Sequence, residues 1–166
     1  MLLRMAEYLS ESLIFLDLDA DDKATALRAI VEGMARQRAI ENPAAFLQEI
    51  LDREAIEPTC MGRGVAFPHA RTDLVKRPVI AFARPIFPIP FNDHIADDVC
   101  LIFMMGTPKA EANLYLNILA RLCKMLRQSD FRDALLSAQT PRETLRLIQE
   151  NESLAAGKLK TANAAS

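Results

Sequence analysis

The 166 residues include no tryptophan, and histidine (2), tyrosine (2), cysteine (3) and glycine (5) are all scarce. Each scarcity excludes a class of chemistry. Three cysteines are an odd number, and Cys60, Cys100 and Cys123 form no CxxC pair, which argues against a disulfide framework and against a zinc site. With only His69 and His94 available, there is no HExxH or H-x-E spacing for a metal centre. No GxSxG occurs, so a serine triad lacks its nucleophile elbow. Long hydrophobic runs are absent too. "VCLIFMM" (Val99 to Met105) is far too short to cross a bilayer, and the N-terminal "MLLRMAEYLSES" lacks the apolar stretch and cleavage site of a signal peptide. The formal net charge is -2 and the pI about 5.7, which leaves no basic patch for nucleic acid and no polybasic signal for a membrane surface. The cytoplasm is the expected compartment.

What is present is ordinary globular material: 51% hydrophobic residues and 25% charged, enough for one self-sufficient core. Residues 1–150 read as a single domain and 151–166, small and polar, as a frayed tail. "LIFLDL" (Leu13 to Leu18) reads as a strand. Asp19 to Asp22 then offer N-caps for a helix through about Arg38, with Leu27, Ile30, Val31 and Met34 at helical spacing. Asn42 and Pro43 open a second helix as cap and first residue. "PVIAFARPI" (Pro78 to Ile86) and "DVCLIFMMG" (Asp98 to Gly106) read as strands. The second is apolar enough to be covered on both faces. A long helix follows, carrying Leu114, Ile118, Leu119, Leu122 and Met125. Ser129 caps a short one through Leu136, and "TPRE" (Thr140 to Glu143) is a capping box for a last helix to about Glu150. No internal repeat occurs. Strands and helices in this order imply an α/β fold, a central sheet with helices packed on its faces.

The segment "MGRGVAFPHART" (Met61 to Thr72) concentrates the unusual residues. Gly62 and Gly64 allow backbone N–H groups to approach a ligand closely. Pro68 biases Phe67 to an extended conformation, so a short "VAF" strand is expected to reach His69. Arg71, two residues on, and Arg53, at the end of the preceding helix, each carry a guanidinium that can fork onto a phosphate. With metal and triad partners lacking, two readings of His69 stand. It is a nucleophile acting alone, or a histidine that ends a strand and bonds to the backbone. Either arginine can equally be a solvated surface charge, and Cys60 reads as a small buried hydrophobe.

"LDREAIEPTCMGRGVAFPHAR" (Leu51 to Arg71) resembles the signature of EIIA domains of the fructose/mannitol class (type 2) of the bacterial phosphoenolpyruvate-dependent phosphotransferase system. That pattern runs R-E-A, a small-residue stretch, then G-x-G-[VI]-A-[IV]-P-H-[AG]. The upstream "LDLDADDKATALRAIVEGMA" and the downstream "ILARLCKMLRQSDFRDALLSAQTPRETLRLIQE" are similar to the family too, so the resemblance runs from about Tyr8 to Glu150. The lack of fused domains resembles the free-standing nitrogen-regulatory type. The resemblance implies a mixed central β-sheet flanked by helices on both faces (the phosphotransferase/anion transport protein-like fold) and a histidine phosphocarrier. His69 would accept a phosphoryl group from an HPr-like carrier and pass it to an EIIB partner, or display it to a regulated target. Arg53, sixteen residues before the histidine, matches the family's active-site arginine. No metal or organic cofactor is implied, and a homodimer is compatible.

One departure from the family pattern stands out. The family carries a second histidine at the start of the long helix, as H-L-x-x-L-A-R-L. Here the aligned stretch is "YLNILARL", with Tyr115 in that place. A tyrosine hydroxyl can hydrogen-bond a ring nitrogen or a phosphoryl oxygen but stays neutral at pH 7. Tyr115 is therefore expected to touch the His69 pocket, or simply to pack on an apolar helix face. The corresponding functional alternatives are a transfer-competent phosphotransferase and an EIIA-like protein-binding module with weak or no transfer. A small-ligand-binding domain unrelated to phosphate is a third.

Overall fold

The computed structural model describes residues 3–94 and 98–164, except the side chains of 159 and 160. Part of the turn-rich connection around His94, at 95–97, and the last two residues of the expected tail lie outside the described residues. Two 3-10 turns (Met5–Glu7 and Glu11–Leu13) lead into β1 (Ile14–Leu18), α1 (Lys23–Arg36) and α2 (Pro43–Ile56). Then come β2 (Val65–Ala66), β3 (His69–Thr72), β4 (Val79–Pro85) and β5 (Leu101–Pro108), followed by α3 (Ala112–Leu126), α4 (Ser129–Ser137) and α5 (Pro141–Ala164).

The first helices start where their caps dictate. The Asp22 carboxylate accepts the Thr25 N–H at 2.7 Å and the Asn42 side-chain Oδ1 accepts the Ala45 N–H at 3.1 Å. Each satisfies a donor that the first helical turn leaves orphaned. The later starts differ from the sequence reading. Gln128 is the N-cap of α4, with Ser129 as its first helical residue. At α5 the Thr140 hydroxyl accepts the Glu143 N–H, but the Glu143 carboxylate reaches the Gln139 N–H rather than that of Thr140. The stretch after Asn151 is helical, and α5 continues to Ala164. It is tied down by Glu152, which is 6% exposed. Its carboxylate accepts the backbone N–H groups of Met5 and Ala6 and pairs with Arg121 at 3.4 Å.

The sheet is mixed, in the order β1-β4-β5, with β2 and β3 in succession along the far edge of β5. β4 and β5 are antiparallel, with Phe82 opposite Phe103 and their ring centroids 4.9 Å apart. β1 runs parallel to β4, and β2 and β3 run parallel to β5. β5 is the core of the molecule: Leu101 through Thr107 are all buried. Fully burying each large apolar side chain contributes about 1.5–3 kcal/mol, so this strand anchors everything paired to it. α1 and α2 pack on each other, α1 also on β1 and β4 and α2 on β3; α3 packs on β5 and α5 on β1. Gly106 has a local purpose. A Cβ there would lie 2.9 Å from the Phe46 ring, so its absence lets α2 settle close beside β5 and β3.

The expected "VAF" strand running up to the histidine is in fact two pieces. β2 ends at Ala66, and β3 begins at His69. Pro68 has no N–H for the ladder. Its carbonyl instead accepts the Met105 N–H at 2.9 Å, and pairing resumes with His69 opposite Met105.

Candidate functional site

Three elements meet around His69. Strand alternation puts His69 and Arg71 on one face of β3. The last turn of α2 brings Arg53, and the first turn of α3 brings Tyr115. Together with Lys109, Ile56, Glu49, Asp52 and Ala70 they line a cleft of about 410 Å³.

The imidazole of His69 is 6% exposed and bonded at both ring nitrogens. Nδ1 lies 2.7 Å from the Phe67 carbonyl oxygen, and Nε2 lies 2.8 Å from the Tyr115 hydroxyl. A carbonyl oxygen only accepts, so Nδ1 carries the proton. Nε2 therefore holds the lone pair, and the Tyr115 O–H donates to it. The two rings sit 5.3 Å apart between centroids, inclined at 43°. Burial, the largest cause, pushes the His69 pKa below its ordinary 6.5; the Phe67 carbonyl works against it, Arg53 lowers it further and Glu54 opposes. The ring is thus neutral at pH 7, with its unprotonated Nε2 beside the Tyr115 hydroxyl in the lining of the cleft.

Arg53 donates through Nη1 to the Glu57 carbonyl at 3.0 Å, which caps the C-terminus of α2. A guanidinium carries five N–H donors, so this bond leaves capacity for an anion. Arg71 donates through Nη2 to the Lys109 carbonyl at 2.9 Å, and its guanidinium carbon lies 6.0 Å from the centre of the Tyr115 ring. It ties β3 to the loop entering α3. Lys109 pairs with Asp73 at 3.3 Å.

The cleft thus brings together Arg53, His69, Arg71 and Tyr115 among the residues singled out from sequence. It does not bring in Gly62 or Gly64, which belong to a separate hollow on the Cys123 side of β2 (Gly62) and to the β2–β5 junction (Gly64). Both have φ of +76°, in the left-handed region. Gly64 is needed for packing: its carbonyl accepts the Cys100 and Leu101 N–H groups, and a Cβ on it would fall 2.7 Å from Cys100 Sγ. The glycines build the turn into β2 rather than a ligand cradle. Cys60 does not line the cleft, and burial, its largest influence, raises its thiol pKa. His94 is exposed in the β4–β5 connection. Among the described residues no group of three or more His, Cys, Asp or Glu could hold a metal ion, and no helix is long and apolar enough to cross a membrane. Lys109 escaped the sequence reading. The signal that could have found it is its place just beyond the carboxyl end of β5, where open α/β sheets bind ligands.

The family model described as "Phosphoenolpyruvate-dependent sugar phosphotransferase system, EIIA 2" matches residues 7–151. The chain belongs to this EIIA family. It is 30% identical over 138 residues to the fructose-specific EIIA component of Haloferax volcanii, covering 83% of this chain and 90% of that protein. It is 26% identical over 150 residues to the fructose-specific EIIABC component of Bacillus subtilis, covering 90% of this chain. The chain spans only 24% of that longer protein, and 16% of the Escherichia coli multiphosphoryl transfer protein 1. Among solved structures, nitrogen regulatory protein IIA-Ntr from Neisseria meningitidis matches with a TM-score of 0.81 at 26% identity, covering 87% of this chain and 98% of that one. The mannitol EIIA of Escherichia coli, solved in complex with phosphorylated EIIB, shares the fold at a TM-score of 0.73 and 24% identity, over 84% and 96% of the two chains.

Proposed function

We propose that this EIIA chain is a histidine phosphocarrier in which His69 Nε2 receives a phosphoryl group from a phosphohistidine on an HPr-like carrier. The observation that carries this reading is the fixed tautomer: Nδ1–H bonded to the Phe67 carbonyl, and an unprotonated Nε2 beside Tyr115 in a cleft that Arg53 and Arg71 line. In the transfer, the Nε2–P bond forms as the donor's N–P bond breaks. The donor imidazole leaves with the electron pair, and the His69 ring becomes a phospho-imidazolium whose proton stays on Nδ1, donated to the Phe67 carbonyl. Arg53, Arg71 and Lys109 offset the charge on the transferred oxygens, and the chemistry needs in-line positioning more than any covalent help. No step in this scheme calls for a metal or an organic cofactor. The same steps run onward to a cysteine or histidine of an EIIB partner. Alternatively, the phosphorylated state is read by a regulated target, as the likeness to a nitrogen regulatory IIA suggests. Both partners, and the three free thiols, fit a cytoplasmic setting.

Tyr115 favours a second reading, a protein-binding module that transfers poorly, because its hydroxyl occupies Nε2. The magnitude decides against it. A neutral hydrogen bond is worth about 1 kcal/mol net, roughly a fivefold factor in rate, and the hydroxyl can turn to a phosphoryl oxygen once Nε2 reacts. Incubation with phosphoenolpyruvate and the two upstream carriers should add a single acid-labile phosphoryl group, detected by mass, and none to His69→Ala. No gain in the unsubstituted chain, or an undiminished gain in His69→Ala, refutes the reading.

A further inference from the structure

Glu54 follows Arg53 in α2 but, a hundred degrees further round the helix, faces inward, and it is 4% exposed. The transfer scheme leaves this buried carboxylate without a part. Its two oxygens accept the Thr59 backbone N–H at 3.0 Å and the Thr59 hydroxyl at 2.7 Å, and Lys23 Nζ lies 3.5 Å away. The Thr59 carbonyl accepts the Phe67 N–H at 3.2 Å. The Phe67 carbonyl in turn accepts Nδ1–H of His69 at 2.7 Å. Hydrogen bonds and short stretches of backbone thus join the carboxylate to the imidazole through Thr59 and Phe67. The peptide between Phe67 and Pro68 is gripped on both flanks, by Thr59 before it and by the Met105 N–H on the Pro68 carbonyl after it. Only the first grip traces back to a charged side chain.

We propose that Glu54 is a positioning residue for His69: through Thr59 it fixes the Phe67 carbonyl that keeps the proton on Nδ1 and the lone pair on Nε2. The group a ring nitrogen bonds to selects the tautomer, and a carbonyl free to swing away no longer selects. The effect on transfer rests on the phosphocarrier reading; the tautomer does not. A carboxylate that only staples the α2–β2 loop would alter stability and leave the ring nitrogens as they are.

The experiment is nitrogen-15 NMR of the histidine rings in the full chain, where only His69 and exposed His94 contribute, together with phosphoryl uptake from an HPr-like carrier. The unsubstituted protein should show a protonated Nδ1 and an unprotonated Nε2 at His69. In Glu54→Ala the two nitrogens should move toward each other as the tautomers mix, and uptake should fall about tenfold. Glu54→Gln keeps a carbonyl for the Thr59 N–H and should restore both the ring pattern and uptake to within about threefold. Thr59→Val, which keeps the Lys23–Glu54 pair, should show an intermediate ring pattern and decides the matter if Glu54→Ala does not fold. An unchanged His69 pattern in folded Glu54→Ala or Thr59→Val overturns the proposal. If the unsubstituted chain takes up no phosphoryl group, the phosphocarrier reading fails while the ring pattern still judges Glu54.

Discussion

The two nitrogens of His69 are held by different kinds of group. On the inner side, Nδ1 meets a backbone carbonyl set in a peptide gripped from both ends. On the outer side, Nε2 meets a side-chain hydroxyl from the first turn of α3, a half-buried residue at the edge of the cleft. The inner contact depends on chain path, so substituting Phe67 does not remove it; it is lost only when the peptide moves. The outer contact depends on one side chain and can change identity while the fold stays put. A substitution at Tyr115 can therefore change what Nε2 meets while the Nδ1 contact with the Phe67 carbonyl stays as it is.

The sharpest probe of the outer side is Arg53, whose charge the phosphocarrier proposal sets against the incoming phosphoryl group. Arg53→Ala should lower the single-turnover transfer rate by roughly 10²–10³-fold, the usual cost of one lost donor to transition-state charge. It should lower the thermal midpoint only slightly, because the structural loss is one cap bond to the Glu57 carbonyl at the end of α2. Retention of full transfer would remove Arg53 from the site. Tyr115→His is a gentler probe. An imidazole restores a group that can donate to the phosphoryl oxygens and carry charge, so transfer should rise about two- to fivefold, in the range of one improved hydrogen bond. A fall on Tyr115→His, measured under the same conditions, would mean that the tyrosine hydroxyl serves transfer better than the family's usual group.

Much of the inner side was not legible in the sequence, and much of the outer side was. Asp22 and Asn42 announce their helices because a cap acts within three residues. Pro43 and the apolar spacing of Leu27, Ile30, Val31 and Met34 are equally local. Arg53, Arg71 and Tyr115 could be named because motif spacing carries them. The tautomer of His69 could not, since it depends on which way the Phe67 carbonyl faces once β5 has taken up the Pro68 carbonyl through the Met105 N–H. Gly62 and Gly64 were read as letting a ligand approach the backbone, but what the turn at Gly64 faces is decided by pairing with Cys100 and Leu101, some 36 residues away. Glu54 stands in the R-E-A of the family signature, but nothing in its spacing said that it is buried or what it holds. Its burial follows from Lys23 and Thr59, which approach it only in the folded chain. α5 outran its expected end for the same reason, since Glu152 meets Met5 and Ala6 across almost the whole sequence.

The smallest expected effect concerns the proton that both sides of the ring control. Burial first, and then Arg53, hold the His69 pKa below its ordinary 6.5. The unfolded chain therefore binds this proton more tightly than the folded one, and stability rises with pH across the interval between the two values. The contribution is whole above 6.5 and is lost as pH falls through the lower folded value. Denaturant midpoints should accordingly drop on acidification below 6.5 in the unsubstituted chain, and drop less in His69→Gln, which has no proton to gain. Arg53→Ala removes the lesser of the two lowering causes, so the His69 ring should titrate at a somewhat higher pH, still below 6.5 because its burial remains. A ring midpoint that does not move in Arg53→Ala would place the guanidinium too far from Nε2 to act on a bound phosphoryl group. Burial, the inner carbonyl, Glu54 and the Tyr115 hydroxyl would then set the state of His69 without the guanidinium.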